Sequence, residues 1–307
     1  MGEFGLIERI ERAAGGLASR AVVVGIGDDA AVLRPRDGED LVVSTDALVE
    51  GVHFRLERVA ATTVGRRAVV VNLSDLAAMG ARPLACTLAL AAPGGLSLAA
   101  FDGMLSGLVR EAAAYGCPLV GGNIARASES SLTLTVLGAV ERGRCLRRRA
   151  RVGDRLFVTG ALGAATLSRT RAERRGGRDR HCPVPRLDAG RRLARMPGPA
   201  GCIDISDGLV SDLRQLLSSS RLGAEVDVAD VPAPRGFAAA CAKAGLAADA
   251  ARLAGGEDYE LLFCLPPSAP SAAVLAHKLG VRVSEIGRVT RQAGLTGLPE
   301  LDGWSHF

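Results

Sequence analysis

The chain has 307 residues, 48% of them hydrophobic and 23% charged. That is enough apolar side chain for two ordinary cores or one large one, and it excludes a disordered chain. The net charge of +5 favours acidic partners mildly. Neither of the two Arg-dense runs, RGRCLRRRARVGD (142–154) and RTRAERRGGRDRH (169–181), is interleaved with aromatic residues, so nucleic acid is not an expected partner.

In chain order, LIERIERAAG has the apolar spacing of a helix that ends at Gly15 and Gly16. AVVVG (21–25), AAVLR (30–34) and LVVST (41–45) read as short strands. A long buried helix is expected from Val59 to Met79, with Gly80 as its stop. LACTLALAA (84–92) is a strand, residues 97–116 are an amphipathic helix, and PLVGG (118–122) and LTLTVLGAV (132–140) are strands. The Arg-rich piece 142–152 reads as a linker between an N-terminal domain, 1–141, and a C-terminal domain, 153–307. RLFVTG (155–160) then leads as a strand into a helix, and 174–186 is a loop by composition. Residues 201–220 read as strand, turn and helix, GAEVDVADVP as a strand, and GFAAACAKAG as a helix. YELLFCLP (259–266) is a strand, followed by a helix in SAAVLAHKLG and a strand in VRVSEIGRV. Hairpin strands mixed with helices in both halves predict two α+β domains rather than one doubly wound sheet.

Several mechanisms are missing from the sequence. No glycine loop leads into a P-loop Lys, since the only lysines are Lys243 and Lys278. The protein-kinase signatures and the G-x-S-x-G elbow are absent too. The four His (53, 181, 277 and 306) and seven Cys (86, 117, 145, 182, 202, 241 and 264) show no metal-ligand spacing. The scattered Cys fit a reducing cytoplasm. No run reaches the ~18 apolar residues of a membrane span, and no signal peptide is evident.

Acids, by contrast, recur where apolar segments end. They are Asp28 and Asp29 in GIGDDAAV, Asp46 in VVSTDALVEGVHF, Asp75 in VVVNLSDLAAMGA, Asp204 and Asp207 in CIDISDGLVSDL, and Glu257 and Asp258 in LAGGEDYELLF. The first of these passes a loose dinucleotide pattern. It leads into a strand broken at Pro35 rather than into a helix, and two carboxylates would repel a pyrophosphate. Half-buried carboxylates need partners. A hard divalent cation such as Mg²⁺ supplies one and brings substrate phosphates with it, which points to metal-run phosphoryl transfer. Helix N-caps account for Asp207 and Asp75 equally well.

The stretches GEFGLIERI, GIGDDAAV, STDALVEGVHF, NLSDLAAMGA, IDISDGLVSDL, GGEDYELLF and GWSHF resemble, in this order and over nearly the whole chain, thiamine-monophosphate kinase. The resemblance implies a two-domain α+β enzyme, dimeric through strands of its N-terminal domain. It would phosphorylate thiamine monophosphate with ATP to give thiamine diphosphate. By motif, Asp29, Ser44, Thr45, Asp46, Asp75, Asp204 and Asp207 resemble Mg²⁺ ligands. Gly122, Arg148 and Ser206 resemble ATP contacts, and His53, Glu257 and Trp304 resemble contacts to the thiamine phosphate. His53 also reads as a hydrogen-bonded turn histidine, and Trp304 as a packing residue. The family's Gly-Gly-Asp-Thr-Thr is GGNIA here. Asn123 therefore stands at a metal position with an oxygen but no charge, and the expectation is a weaker Mg²⁺ site. Two further readings stay open: another ATP-dependent enzyme of the same superfamily, or a weakly active ligand-binding relative.

Overall fold

A computed structural model describes residues 3–14, 20–26, 30–198, 201–218, 220–299 and 301. They divide into two compact units. The first takes the described residues up to Leu76, Arg82–Gly143 and Gly176–Cys182. The second takes Ala77–Ala81, Arg144–Arg175 and the described residues from Pro183 onward. The division is therefore not linear: 77–81 belongs with the second unit and 176–182 with the first. The basic piece 144–152 is part of the second unit.

The first unit is a four-stranded mixed sheet with helices on one face. Its elements are α1 (Glu3–Ala14), β1 (Val22–Val24), β2 (Val32–Leu33), β3 (Glu39–Val49), α2 (Ala61–Ala78), β4 (Arg82–Ala92), α3 (Leu98–Ala114), β5 (Leu119–Arg126) and β6 (Ser131–Glu141). β1 and β2 pair separately; the main sheet runs β3-β6-β4-β5, with only β4 and β5 parallel. Leu132, Leu134 and Val136 of β6 are buried while Thr133, Thr135 and Leu137 alternate with them at partial exposure, so the sheet has one core face. α2 is buried almost all round, with Val64, Val69, Val70, Leu73 and Leu76 inaccessible. Its crossing with α3 is close because Gly65 and Gly107 carry no side chain. A Cβ at Gly65 would lie 1.9 Å from the Met104 carbonyl oxygen, and one at Gly107 2.1 Å from that of Thr62.

The second unit contains β7 (Arg155–Thr159), α4 (Ala164–Arg174), α5 (Leu187–Ala194), β8 (Gly201–Asp204), α6 (Leu209–Ser218), β9 (Gly223–Val226), α7 (Phe237–Ala244), α8 (Ala248–Leu253), β10 (Leu261–Leu265), α9 (Ala272–Leu279), β11 (Val283–Thr290) and β12 (Gly294–Thr296). The sheet order is β12-β9-β11-β7-β10-β8, antiparallel except for β12 on β9. On one face Leu156, Val158, Ile203 and Leu262 pack with Leu209, Leu213 and Leu216 of α6. On the other, Phe157 and Phe263 stack with ring centres 5.4 Å apart. The expected strand through GAEVDVADVP stops at Val226. Asp227 accepts the Ala229 N–H and turns the chain into a short 3-10 segment, Val228–Asp230. Among the described residues no helix is long and apolar enough to cross a membrane.

Candidate active site

In the first unit, β3 and α2 bring one group of candidates together. Side chains alternate across a strand, so Ser44 and Asp46 share the face of β3 that meets α2. The Ser44 hydroxyl donates to Asp75 Oδ2 at 2.5 Å, and the Asp46 N–H donates to Asn72 Oδ1 at 3.0 Å. Asn72 is fully buried and fixed in turn, its amide donating to the Ala68 carbonyl. It was not among the residues singled out from the sequence. Its signal is the spacing to Asp75: three residues apart on a helix, the two side chains share a face.

Thr45 points the other way. Its hydroxyl donates to the Leu134 carbonyl and accepts from Thr135, on the sheet face opposite Ser44. Asn123 is placed apart as well. The register Ala47–Thr133–Ala89–Asn123 puts it on the face of Thr45 but on the opposite edge strand, three strand spacings from β3. That separation is about 14 Å, too far for Asn123 and β3 of one copy to share an ion. Gly122 of β5 lies against β4, where a Cβ would lie 2.0 Å from the Leu88 carbonyl oxygen. Close strand approach thus accounts for this glycine. His53 lies in the turn after β3, with Nδ1 accepting the Val49 N–H at 3.0 Å. That bond assigns the neutral ring's proton to Nε2, which makes Nε2 a donor. Asp29 lies outside the described residues.

In the second unit two motif loops are joined as one body. Asp204 ends β8 and Leu261 begins β10; the two residues pair, so DISDG and GGEDYE emerge at the same end of the sheet. Backbone bonds tie them: Glu257 N–H to the Ser206 carbonyl (2.7 Å), Tyr259 N–H to Ile205 (2.9 Å), and Ile205 N–H to Glu260 (2.8 Å). Glu257 and Tyr259 take left-handed backbones, with φ of 60° and 51°. A side chain disfavours that conformation by roughly 1–2 kcal/mol. The bonds to Ile205 and Ser206 hold them in it.

The same loop's acids have distinct partners. Glu257 forms an ion pair with Arg169 of α4, both partly exposed. Asp258 is buried and accepts the N–H groups of Gly163 (2.7 Å) and Ala165 (3.3 Å) at the start of α4. Burial pushes its carboxyl up to about 7, with the Glu260 carboxylate adding to the rise. Glu260 is buried against Arg186 and the Thr159 hydroxyl. On the other loop, Asp212 of α6 accepts the N–H groups of both Ser206 and Asp207 through Oδ2, each at 3.0 Å. Burial, then the nearby Asp204 and Asp207, push Asp212 up to about 7. Asp212 is the second residue missed from the sequence, where an acid early in a helix reads as an ordinary dipole partner.

Arg148 is not at this end. Its neighbour Arg147 bridges Gly201, and the Cys202 N–H donates to the Arg147 carbonyl, so the loop runs beside the start of β8, the end away from Asp204. Trp304 lies outside the described residues. Among the described residues no three His, Cys, Asp or Glu side chains form a closed metal cage. The donors on hand are carboxylate and hydroxyl oxygens, which suit a hard cation that keeps water and substrate oxygens in its shell.

Residues 27–140 match the family described as AIR synthase related protein, N-terminal domain, and 151–298 match its C-terminal domain. A thiamine-monophosphate kinase of Synechococcus elongatus is 39% identical over 92% of this chain and 91% of its own. The chain belongs to the thiamine-monophosphate kinase family. A solved thiamine-monophosphate kinase from Stenotrophomonas maltophilia superposes with a TM-score of 0.82 at 36% identity, covering 98% of both chains. AaThiL complexed with AMPPCP and TMP superposes at 0.75 with 31% identity, covering 100% of this chain and 97% of that one. The kinase family thus spans both units.

Proposed function

We propose that the chain transfers the γ-phosphoryl group of ATP to the phosphate of thiamine monophosphate, giving thiamine diphosphate and ADP. The observation that carries this is the joining of DISDG to GGEDYE by backbone bonds, which holds Ser206 and Glu257 in one body. It is supported by kinship to kinases of that name and to a structure holding an ATP analogue with TMP. Asp46 and Asp75 in the first unit, Asp204 and Asp207 in the second, and Asp29 are the oxygen donors that would hold Mg²⁺, which supplies charge neutralisation on the phosphates when bound. The acceptor is already an ionised phosphate oxygen, so no side chain has to remove a proton. What remains is positioning and electrostatics. Ser206, Gly122 and Arg148 are the nucleotide contacts that the motifs assign. The His53 Nε2–H donates to the acceptor phosphate. Glu257 meets the thiazolium or the pyrimidine amine, and Trp304 stacks on an aromatic ring. Asn123 lowers the charge at one metal position.

We further propose a cytoplasmic homodimer formed through β3, with 1–141 and 153–307 acting as the two domains. β3 is an eleven-residue edge strand that exposes Leu41 (51%) and Val43 (57%), a surface that invites pairing. Val43→Arg tests this: sedimentation should show monomer where the wild type shows dimer. For the activity, purified protein is incubated with Mg-ATP and thiamine monophosphate, and thiamine diphosphate and ADP are expected in equal amounts. ADP without thiamine diphosphate, or no turnover at all, rejects the reading.

A further inference from the structure

The turn 205–208 has most of its backbone groups bonded within the second unit. Ile205 bonds Glu260 and Tyr259 through its N–H and carbonyl, the Ser206 carbonyl takes the Glu257 N–H, and the Gly208 carbonyl takes the Asp212 N–H. The amides of Ser206 and Asp207 are taken as well, both by a single oxygen, Asp212 Oδ2. The arrangement departs from an ordinary helix cap. The residue before α6 is Gly208, which has no side chain to cap with, and the acceptor reaches back from the fourth helical residue. Asp212 is 3% exposed and has Asp204 and Asp207 as neighbours of like charge. Burying a carboxyl group there is costly. An Asn or Ser before the helix would cap it at lower cost.

We infer that Asp212 is a positioning residue for the phosphoryl transfer. It draws the amides of Ser206 and Asp207 inward, so that their side chains are presented outward in fixed directions. Through the Ser206 carbonyl it also sets the left-handed backbone of Glu257. One carboxyl group thereby aligns the nucleotide motif with the acceptor motif. The inference rests on the proposed roles of Ser206, Asp207 and Glu257.

The test compares the wild type, Asp212→Asn, Asp212→Ala and two controls. Leu216→Ala weakens the same helix through its core face, and Asp188→Asn changes an exposed acid on α5. Asp212→Asn keeps the shape but replaces the carboxylate with a neutral amide, a weaker acceptor for two N–H groups at once, so it decides the matter if the alanine variant fails to fold. Expected for Asp212→Asn is a kcat about 10- to 100-fold lower, with a raised KM for thiamine monophosphate. Weaker calorimetric binding of Mg²⁺ with AMPPCP should accompany it, as should faster amide exchange at 205–208 in ligand-free protein. Leu216→Ala should lower the melting temperature and leave kcat, KM and nucleotide binding unchanged. Asp212→Asn with wild-type kinetics and nucleotide binding, or with unchanged exchange at 205–208, overturns the inference. If the wild type makes no thiamine diphosphate, the proposed function falls instead, and the exchange and nucleotide-binding arms still decide on Asp212.

Discussion

The two units hold their acids by different means. In the first, the group is assembled across elements: Ser44 and Asp46 on β3 meet Asp75 and Asn72 on α2, over sequence separations of 31 and 26 residues. A strand and a buried helix do the positioning, through hydrogen bonds that cross between the two elements. In the second, Asp204 and Asp207 are held by a turn whose amides are fixed five and six residues away, and that turn is stitched to the Glu257 loop by main-chain bonds. The first arrangement is as rigid as the packing of its elements. The second is rigid locally, at the cost of four buried carboxyl groups, Asp204, Asp212, Asp258 and Glu260, and two left-handed residues. Substitutions in the first unit should therefore act through charge or sheet packing, and those in the second through pH and backbone strain.

The largest effect is expected at Asp75. Asp75→Asn keeps the bond from Ser44 but removes the charge, and kcat/KM should fall about 10²–10³-fold in an ADP-release assay. Ser44→Ala should cost far less; an equal loss would mean that Asp75 serves only to hold Ser44. Next comes the pH dependence of the second unit. Asp258 titrates near 7 when folded and near 3.9 when unfolded. Its raised value means that folding favours the protonated form. The stability it contributes is full below about pH 4 and lost as pH rises to about 7, a change on the order of 2–4 kcal/mol. Denaturant titrations of the ligand-free protein between pH 4.5 and 8 should show this slope, flattened in Asp258→Asn. A slope that survives the substitution intact removes Asp258 as its source.

Gly122→Ala should destabilise by about 2–3 kcal/mol, because its Cβ meets main chain rather than a movable side chain. A wild-type unfolding midpoint would show that β5 can move away from β4. The smallest effect is at Glu257. Glu257→Gly should stabilise by up to about 1 kcal/mol by relieving the positive φ, while raising KM for thiamine monophosphate. If Glu257→Ala proves as stable as Glu257→Gly, the backbone there carries no strain.

Much of the fold could be read from the chain. Helical spacing placed α2 and α3 within a few residues, and the hairpin strands imply the two α+β units. β3 runs four residues past Thr45, where Asp46 breaks the apolar pattern, because β6 pairs with it residue for residue from Glu39 to Val49. β5 likewise continues through the Gly121–Gly122 pair by bonding to β4. α8 and β12 leave no clear mark in the sequence because each is short, and α5 leaves none either. α5 carries Gly190 inside it, where a Cβ would lie 2.0 Å from the Ala77 carbonyl oxygen.

The sequence by itself determined the order of elements, the acids at segment ends and the motifs that mark the family. These depend on local periodicity and on residue chemistry, which need no partner. Only the tertiary structure decided which of those residues share a face. Strand alternation turns Thr45 away from Ser44 and Asp46, and strand order puts Asn123 on the far edge of the sheet. Gly122 is fixed by the approach of a neighbouring strand, and Asp212 by two amides that reach it only once the turn and helix have formed. Such assignments depend on register and on hydrogen bonds closed by folding, and a linear pattern contains neither.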